Sequence, residues 1–151
     1  MSFFKGAFSN KTAATPREQV KEAIAYFVIM MIYADGAVEQ SEVNTAQASL
    51  ARCGLFNDNT VDDDFALLLR MENKYAKDPD THAFDYAEVL AREEWSYTAA
   101  SILVDVMLAN GDMDENEQSL LLSLSDKVGI EHSDLDAMVG TISALRRRWT
   151  Q

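Results

Sequence analysis

The sequence predicts an all-α fold of about seven helices, a compact bundle built around two helix-turn-helix repeats, and three observations predict it. Apolar residues recur at helical spacing along most of the chain, with no alternating stretch of useful length. Only two prolines and six glycines punctuate 151 residues, which favours long helices over many short strands. Each apolar run is bracketed by residues that start and stop helices. With 48% hydrophobic and 25% charged residues, the chain can bury a core within a single domain.

The elements follow in order. Residues 1–14 form an N-terminal arm in which Phe3, Phe4 and Phe8 alternate with Lys5 and Lys11; docking on the core is expected ahead of a membrane surface. Residues 15–151 form one helical domain. Its first helix starts at Thr15-Pro16-Arg17-Glu18, where Thr15 caps, Pro16 suits the first helical position and Glu18 completes a capping box. Val20, Ala23, Ile24, Phe27, Val28 and Met31 then mark one apolar face, and Gly36 is expected to end it. A second helix runs from about Gln40 to Arg52 and stops at Gly54.

A third helix begins near Thr60, with Asp63 placed for another capping box, and carries Phe65, Leu68, Leu69 and Tyr75 before Asp78-Pro79. A shorter helix is expected near Tyr86–Glu93 and a long one over Glu94–Asn110, closed by Gly111. The sixth starts at Asp114 and ends at Gly129. Ser133-Asp134-Leu135-Asp136 caps the seventh, which reaches Arg146-Arg147-Arg148-Trp149.

Twenty-five acidic residues against thirteen basic ones give a net charge of −12. That charge repels a phosphate backbone, so nucleic acid is excluded as a partner, and it suits divalent cations or basic proteins. Solubility alone accounts for much acidity in small proteins. Cys53 is the single cysteine, so neither an internal disulfide nor a cysteine-rich zinc site is available, and a reducing cytosol is expected. The apolar run Ala23–Ala34 is short of the roughly 20 residues a bilayer needs. No apolar leader precedes Ser9, Asn10 and Lys11, which again points to the cytoplasm. His82 and His132 are the only histidines, and neither lies beside a nucleophile in sequence. No phosphate-cradling Gly-rich loop is present. Binding is expected rather than catalysis.

An internal repeat carries the sharper reading. Displaced by 75 positions, Ile29–Glu42 lies over Val104–Glu117 without a gap, and Gly54-Leu55 lies over Gly129-Ile130. Each copy reads as apolar helix, Ala-(Asp/Asn)-Gly, three residues, an acid-rich cap, a second helix, then Gly and an aliphatic residue. The repeat halves span about 15–56 and 94–131, and two copies predict a pseudo-twofold core.

The acidic residues of these turns differ in how much local physics explains them. A capping box with Asp114 accounts for Glu117. Glu42 follows Glu39 at the same spacing, but Glu is a poor N-cap. Asp35 faces the negative end of a helix dipole, at a cost on the order of 0.3–1 kcal/mol that a cation would reverse. Asn110 takes its place in the second copy and keeps a hard oxygen. Asp105 stands where the first copy has Met30, seven residues before Asp112, with no Lys or Arg between Asp105 and Asp126. A metal, a distant arginine or simple exposure would each satisfy it. Local physics thus adds Asp105 and Asp112 as candidate ligands, and leaves Asp35 as the acid that capping does not explain. Oxygen donors of this kind select Ca²⁺, Mg²⁺ or Mn²⁺. An EF-hand is excluded by register, because Glu115 and Leu121 fall where that loop needs Gly and a bidentate Glu.

Ala34-Asp35-Gly36 with Glu42, repeated imperfectly as Ala109-Asn110-Gly111 with Glu117, resembles the TerB family of tellurite-resistance proteins. The opening Met1-Ser2-Phe3-Phe4 before Lys5-Gly6-Ala7 is similar as well, and the module also resembles the N-terminal domain of the DjlA co-chaperones. The resemblance covers the layout of nearly the whole chain but specific residues only at the turns and the ends. Asn110 departs from the Asp usual in the family. The resemblance implies a seven-helix fold and a divalent metal on an acidic face, with ligand roles for Asp35, Glu42, Asn110 and Glu117. It also implies a stress-response role in tellurite resistance, protein partners in a bacterial stress complex, and peripheral association with the inner membrane face. A metal-free acidic interaction scaffold, or a co-chaperone-like module, is the alternative.

Overall fold

The computed structural model describes residues 14–34, 36, 38–79, 81–110 and 114–147, with the side chain of Asn110 excepted. Seven α-helices run through them: α1 Pro16–Ile32, α2 Gln40–Arg52, α3 Val61–Lys77, α4 Thr81–Arg92, α5 Ser96–Met107, α6 Glu115–Val128 and α7 His132–Arg146. Short 3-10 turns cover Gly54–Phe56 and Leu108–Asn110, and no strand occurs among the described residues.

Helix α1 is central because it is apolar nearly all round. The six residues of its anticipated face are buried, and so are Ala25, Tyr26, Ile29 and Ile32. It packs against α3, α4 and α5. The Tyr26 hydroxyl donates to the Pro79 carbonyl at 2.9 Å, which satisfies the one polar tip in this stretch of core. Helix α5 is the second hub, buried at Ala99, Ala100, Ile102, Leu103, Val104, Val106 and Met107, and it packs against α1, α2, α6 and α7. The two hubs are the apolar helices of the two sequence copies. The helices after the acidic caps start at Gln40 and Glu115, 75 positions apart as the repeat requires. Their surroundings differ, since α2 lies mainly on α5 whereas α6 lies on α4 and α5.

Several ends are as the sequence predicts. At α3 the Thr60 hydroxyl accepts from the Asp63 amide (3.1 Å) while the Thr60 amide donates to the Asp63 carboxylate (2.9 Å), a complete capping box. Asp114 caps α6 through the amides of Asn116 (2.7 Å) and Glu117 (3.4 Å). Gly129 closes α6 in the left-handed conformation, φ 78°.

Other expectations are corrected. Helix α1 stops at Ile32, four residues before Gly36, although Gly36 does take φ 80° and donates to the Tyr33 carbonyl at 3.0 Å. Gly54 opens a 3-10 turn instead of adopting a left-handed cap. In α3 the buried residues are Asp64, Leu67, Leu68 and Met71, so Phe65 and Leu69 face outward at 47% and 44% exposure. Helix α4 begins at Thr81, five residues before Tyr86, and α5 spans Ser96–Met107. Helix α7 begins at His132 behind Glu131, which makes no side-chain cap bond, so Ser133–Asp136 lie inside it.

Candidate functional site: paired acidic helix starts

Glu42 and Glu117 occupy the same place in their helices, each the third residue of α2 and α6 respectively. Both are buried, at 1% and 4% exposure, in a chain where acidic side chains otherwise lie mostly at the surface. A carboxylate in the first turn gains from the positive end of the helix dipole, which helps explain how two of them tolerate burial. Glu39 precedes α2 without a side-chain cap bond, whereas Asp114 caps α6. The helix start that holds Glu42 is therefore the less completely explained by capping.

The packing of α2 on α5 brings elements of the two copies together. Near the C-terminal end of α2, Cys53 and Gly54 share a groove with Trp95, Tyr97 and Thr98 at the start of α5. Further back, Ser49 of α2 meets Asp105 of α5. The helices thus run antiparallel. The Leu108–Asn110 turn that follows α5 packs against α2, and the antiparallel direction brings it toward the end that carries Glu42. The turn of the second copy accordingly lies beside the acid-bearing helix of the first. Asp35 and Asp112, and the side chain of Asn110, lie outside the described residues. Among the described residues no group of three or more His, Cys, Asp or Glu side chains is placed to hold a metal ion.

Asp105 belongs to a different constellation. Arg146 Nε donates to its Oδ1 at 2.6 Å, Arg52 pairs with its Oδ2 at 3.0 Å, and the Ser49 hydroxyl donates to the same oxygen. Arg146 also donates to the Thr45 hydroxyl at 3.2 Å. Burial by itself would raise the Asp105 pKa, but the Ser49 hydrogen bond and the two guanidinium charges outweigh it and hold the carboxyl below the usual aspartate range. Of the three ways to satisfy this carboxylate, the distant arginine is the one adopted. The ion pairs fasten α7 and α2 to α5, and they leave Asp105 little lone-pair capacity for a cation. From sequence, Arg146 reads as part of a basic tail, either helix-end cations favourable to the dipole or a contact for acidic lipid or a partner, and not as the partner of Asp105. A separation of 41 residues leaves no local signal for the pair.

The remaining candidates read as packing groups. Cys53 is half-buried against the core, as is Trp95. His132 pairs with Asp126 at 2.9 Å on the surface, and His82 stacks edge-on to Tyr26 with ring centroids 6.1 Å apart. No helix of the described residues is long and apolar enough to cross a membrane.

Fold and site together define an acidic, all-helical module in which α2 and α6 each bury a glutamate in the first turn. The sequence model described as Tellurite resistance protein TerB matches residues 21–139, which runs from within α1 to the middle of α7, and the chain belongs to the TerB family. No curated protein and no solved structure matches it.

Proposed function

We propose that the chain is a non-enzymatic stress-response protein associated with tellurite resistance, which binds a divalent cation through the acidic turns of its two repeats. The observation that carries this reading is the pair of buried glutamates, Glu42 and Glu117, at matching positions of α2 and α6. Their donor chemistry fits a hard cation of the Ca²⁺, Mg²⁺ or Mn²⁺ type. Asp35, Asn110 and Asp112 supply further oxygen donors from the intervening turns, and Asp105 is left out because two arginines already hold it. A bound cation would neutralise carboxylates at the helix starts and join the first copy to the second. The family match supports the link to tellurite resistance.

The test is thermal unfolding with and without added divalent ion, because a ligand of the folded state raises Tm by mass action. The wild-type midpoint rises with Ca²⁺ or a competing divalent ion, and the Asp35→Ala, Glu42→Ala double variant loses that rise. A rise that survives the double substitution places the cation elsewhere.

A second reading, a metal-free interaction or co-chaperone-like scaffold, is favoured by one observation. Val38, Phe65 and Leu69 are exposed around a small cavity beside the first turn, with Ile29, Ile32 and Leu68 behind them. Under that reading Tm ignores divalent ions, and neutralising the acidic turns abolishes capture of a protein partner.

A further inference from the structure

Of the eight large apolar side chains exposed among the described residues, Val38, Val61, Phe65 and Leu69 gather on one face, and the other four are spread singly over α4, α5, α6 and α7. Val61, Phe65 and Leu69 stand four residues apart on α3, which puts them in one stripe along that helix. The stripe is about 12 Å long, a little over two turns. Val38 joins it across a pit of about 70 Å³, with the buried Ile29, Ile32 and Leu68 behind.

The charges around this face are of one sign. Glu39 follows Val38, Asp62 follows Val61, and Glu72 lines the pit, where it accepts from the Tyr33 hydroxyl at 3.1 Å. No Lys or Arg occurs between Lys21 and Arg52, so the end of α1 and the start of α2 bring no cation to it. On α3, Arg70 is paired with Glu22 of α1 at 3.1 Å and Lys74 donates to the Tyr86 hydroxyl at 2.8 Å. Lys77 closes α3 about 12 Å beyond Leu69. An anionic bilayer, or a second copy of a chain of net charge −12, meets this rim with like charge, whereas a cationic partner is attracted to it. The walls are helices, so an extended peptide finds no strand edge to pair with, and a helix laid along an apolar stripe is the fitting mode. We propose that this face docks a basic amphipathic helix of a protein partner. Its apolar side chains pack on Phe65 and Leu69 and fill the pit, and its Lys or Arg residues meet Glu39, Asp62 and Glu72. The inference rests on the interaction-scaffold reading, to which it gives a partner class, and not on cation binding.

The probe is a fluorescent synthetic peptide of Leu and Lys, with Leu at helical spacing, titrated with the full chain in EDTA and followed by anisotropy. Phe65→Ser with Leu69→Ser is expected to weaken binding by about tenfold or more at unchanged far-ultraviolet circular dichroism. Glu39→Gln with Glu72→Gln, which keeps the acceptor for Tyr33, is expected to weaken it several-fold and flatten its salt dependence. Two control pairs on exposed positions of α4 and α6, Phe84→Ser with Leu122→Ser and Asp85→Asn with Glu88→Gln, are expected to leave it unchanged. No binding by wild type overturns the proposal, and so does equal weakening by the control pairs, which would mean diffuse attraction to an acidic body. Wild-type self-association, or sedimentation with phosphatidylglycerol vesicles, that Phe65→Ser with Leu69→Ser abolishes gives the face to a second copy or a membrane and overturns it too. With EDTA present, failure here leaves the divalent-ion response of Tm untouched, so the two readings fail separately.

Discussion

Replacing Asp105 with Asn removes one charge from the Arg146–Asp105–Arg52 cluster while keeping its shape. The Asp105 side chain is 15% exposed and that of Arg146 29%, so the cluster falls between a surface pair and a buried one. Surface pairs contribute about 0–1 kcal/mol, and breaking a buried pair costs about 3–5 kcal/mol. The neutral amide no longer attracts either guanidinium, but Arg52 already lies largely in solvent. The expected destabilisation is therefore about 2 kcal/mol, or about 6 °C in Tm for a chain of this size. The assay is thermal unfolding followed by circular dichroism across pH. Because the folded-state pKa of Asp105 lies below its ordinary value near 3.8, its stabilisation is complete above that value and is lost as pH falls through the folded pKa. The gap between wild type and variant is therefore full at neutral pH and closes in strong acid. A neutral-pH gap below about 0.5 kcal/mol, or one that persists undiminished near pH 2, refutes the reasoning.

Further expectations concern helix ends. Gly129→Ala costs about 1 kcal/mol, because φ is 78° and the added Cβ meets nothing within 4 Å, so the whole effect is backbone conformation. Gly54→Ala, at ordinary φ with Asn57 no nearer than 4.0 Å, is expected to be neutral or slightly stabilising in denaturant titrations. Thr60→Ala breaks the capping box of α3 and lowers stability by about 1 kcal/mol; urea midpoints that match wild type would falsify that assignment. Asp105→Asn leaves any divalent-ion response intact, whereas Glu42→Gln reduces it, and equal effects from the two would return Asp105 to the ligand set.

The features most clearly legible in the sequence are those whose causes are local. Helix α6 falls between Asp114 and Gly129 because its cap and stop act within a few residues, whereas α2 falls on Gln40–Arg52 with no side-chain cap bond at Glu39. The start of α4 has a signal that its surroundings mask. Ala83, Tyr86, Ala87 and Leu90 form a buried stripe at helical spacing that already includes Ala83, and the polar run around Pro79–Thr81 obscures it. In α3, hydrophobicity does not choose the face. Leu67 and Met71 are buried and Phe65 and Leu69 exposed, a choice made by neighbouring helices rather than by residue type. The cluster at Asp105 depends on α7 crossing α5, which brings Arg146 beside a residue 41 positions away. No periodicity encodes that contact. The repeat itself is visible in the sequence and aligns its two glutamates, but their burial can be read only from the packing.

The central claim is that the two acidic helix starts together hold a divalent cation, and calorimetric titration of the purified chain with Ca²⁺, Mg²⁺ and Mn²⁺ tests it most directly. Wild type is predicted to bind one of them saturably at a single site, with Glu42→Gln and Glu117→Gln each weakening it. No heat of binding from any of the three, or binding that both substitutions leave untouched, contradicts the account.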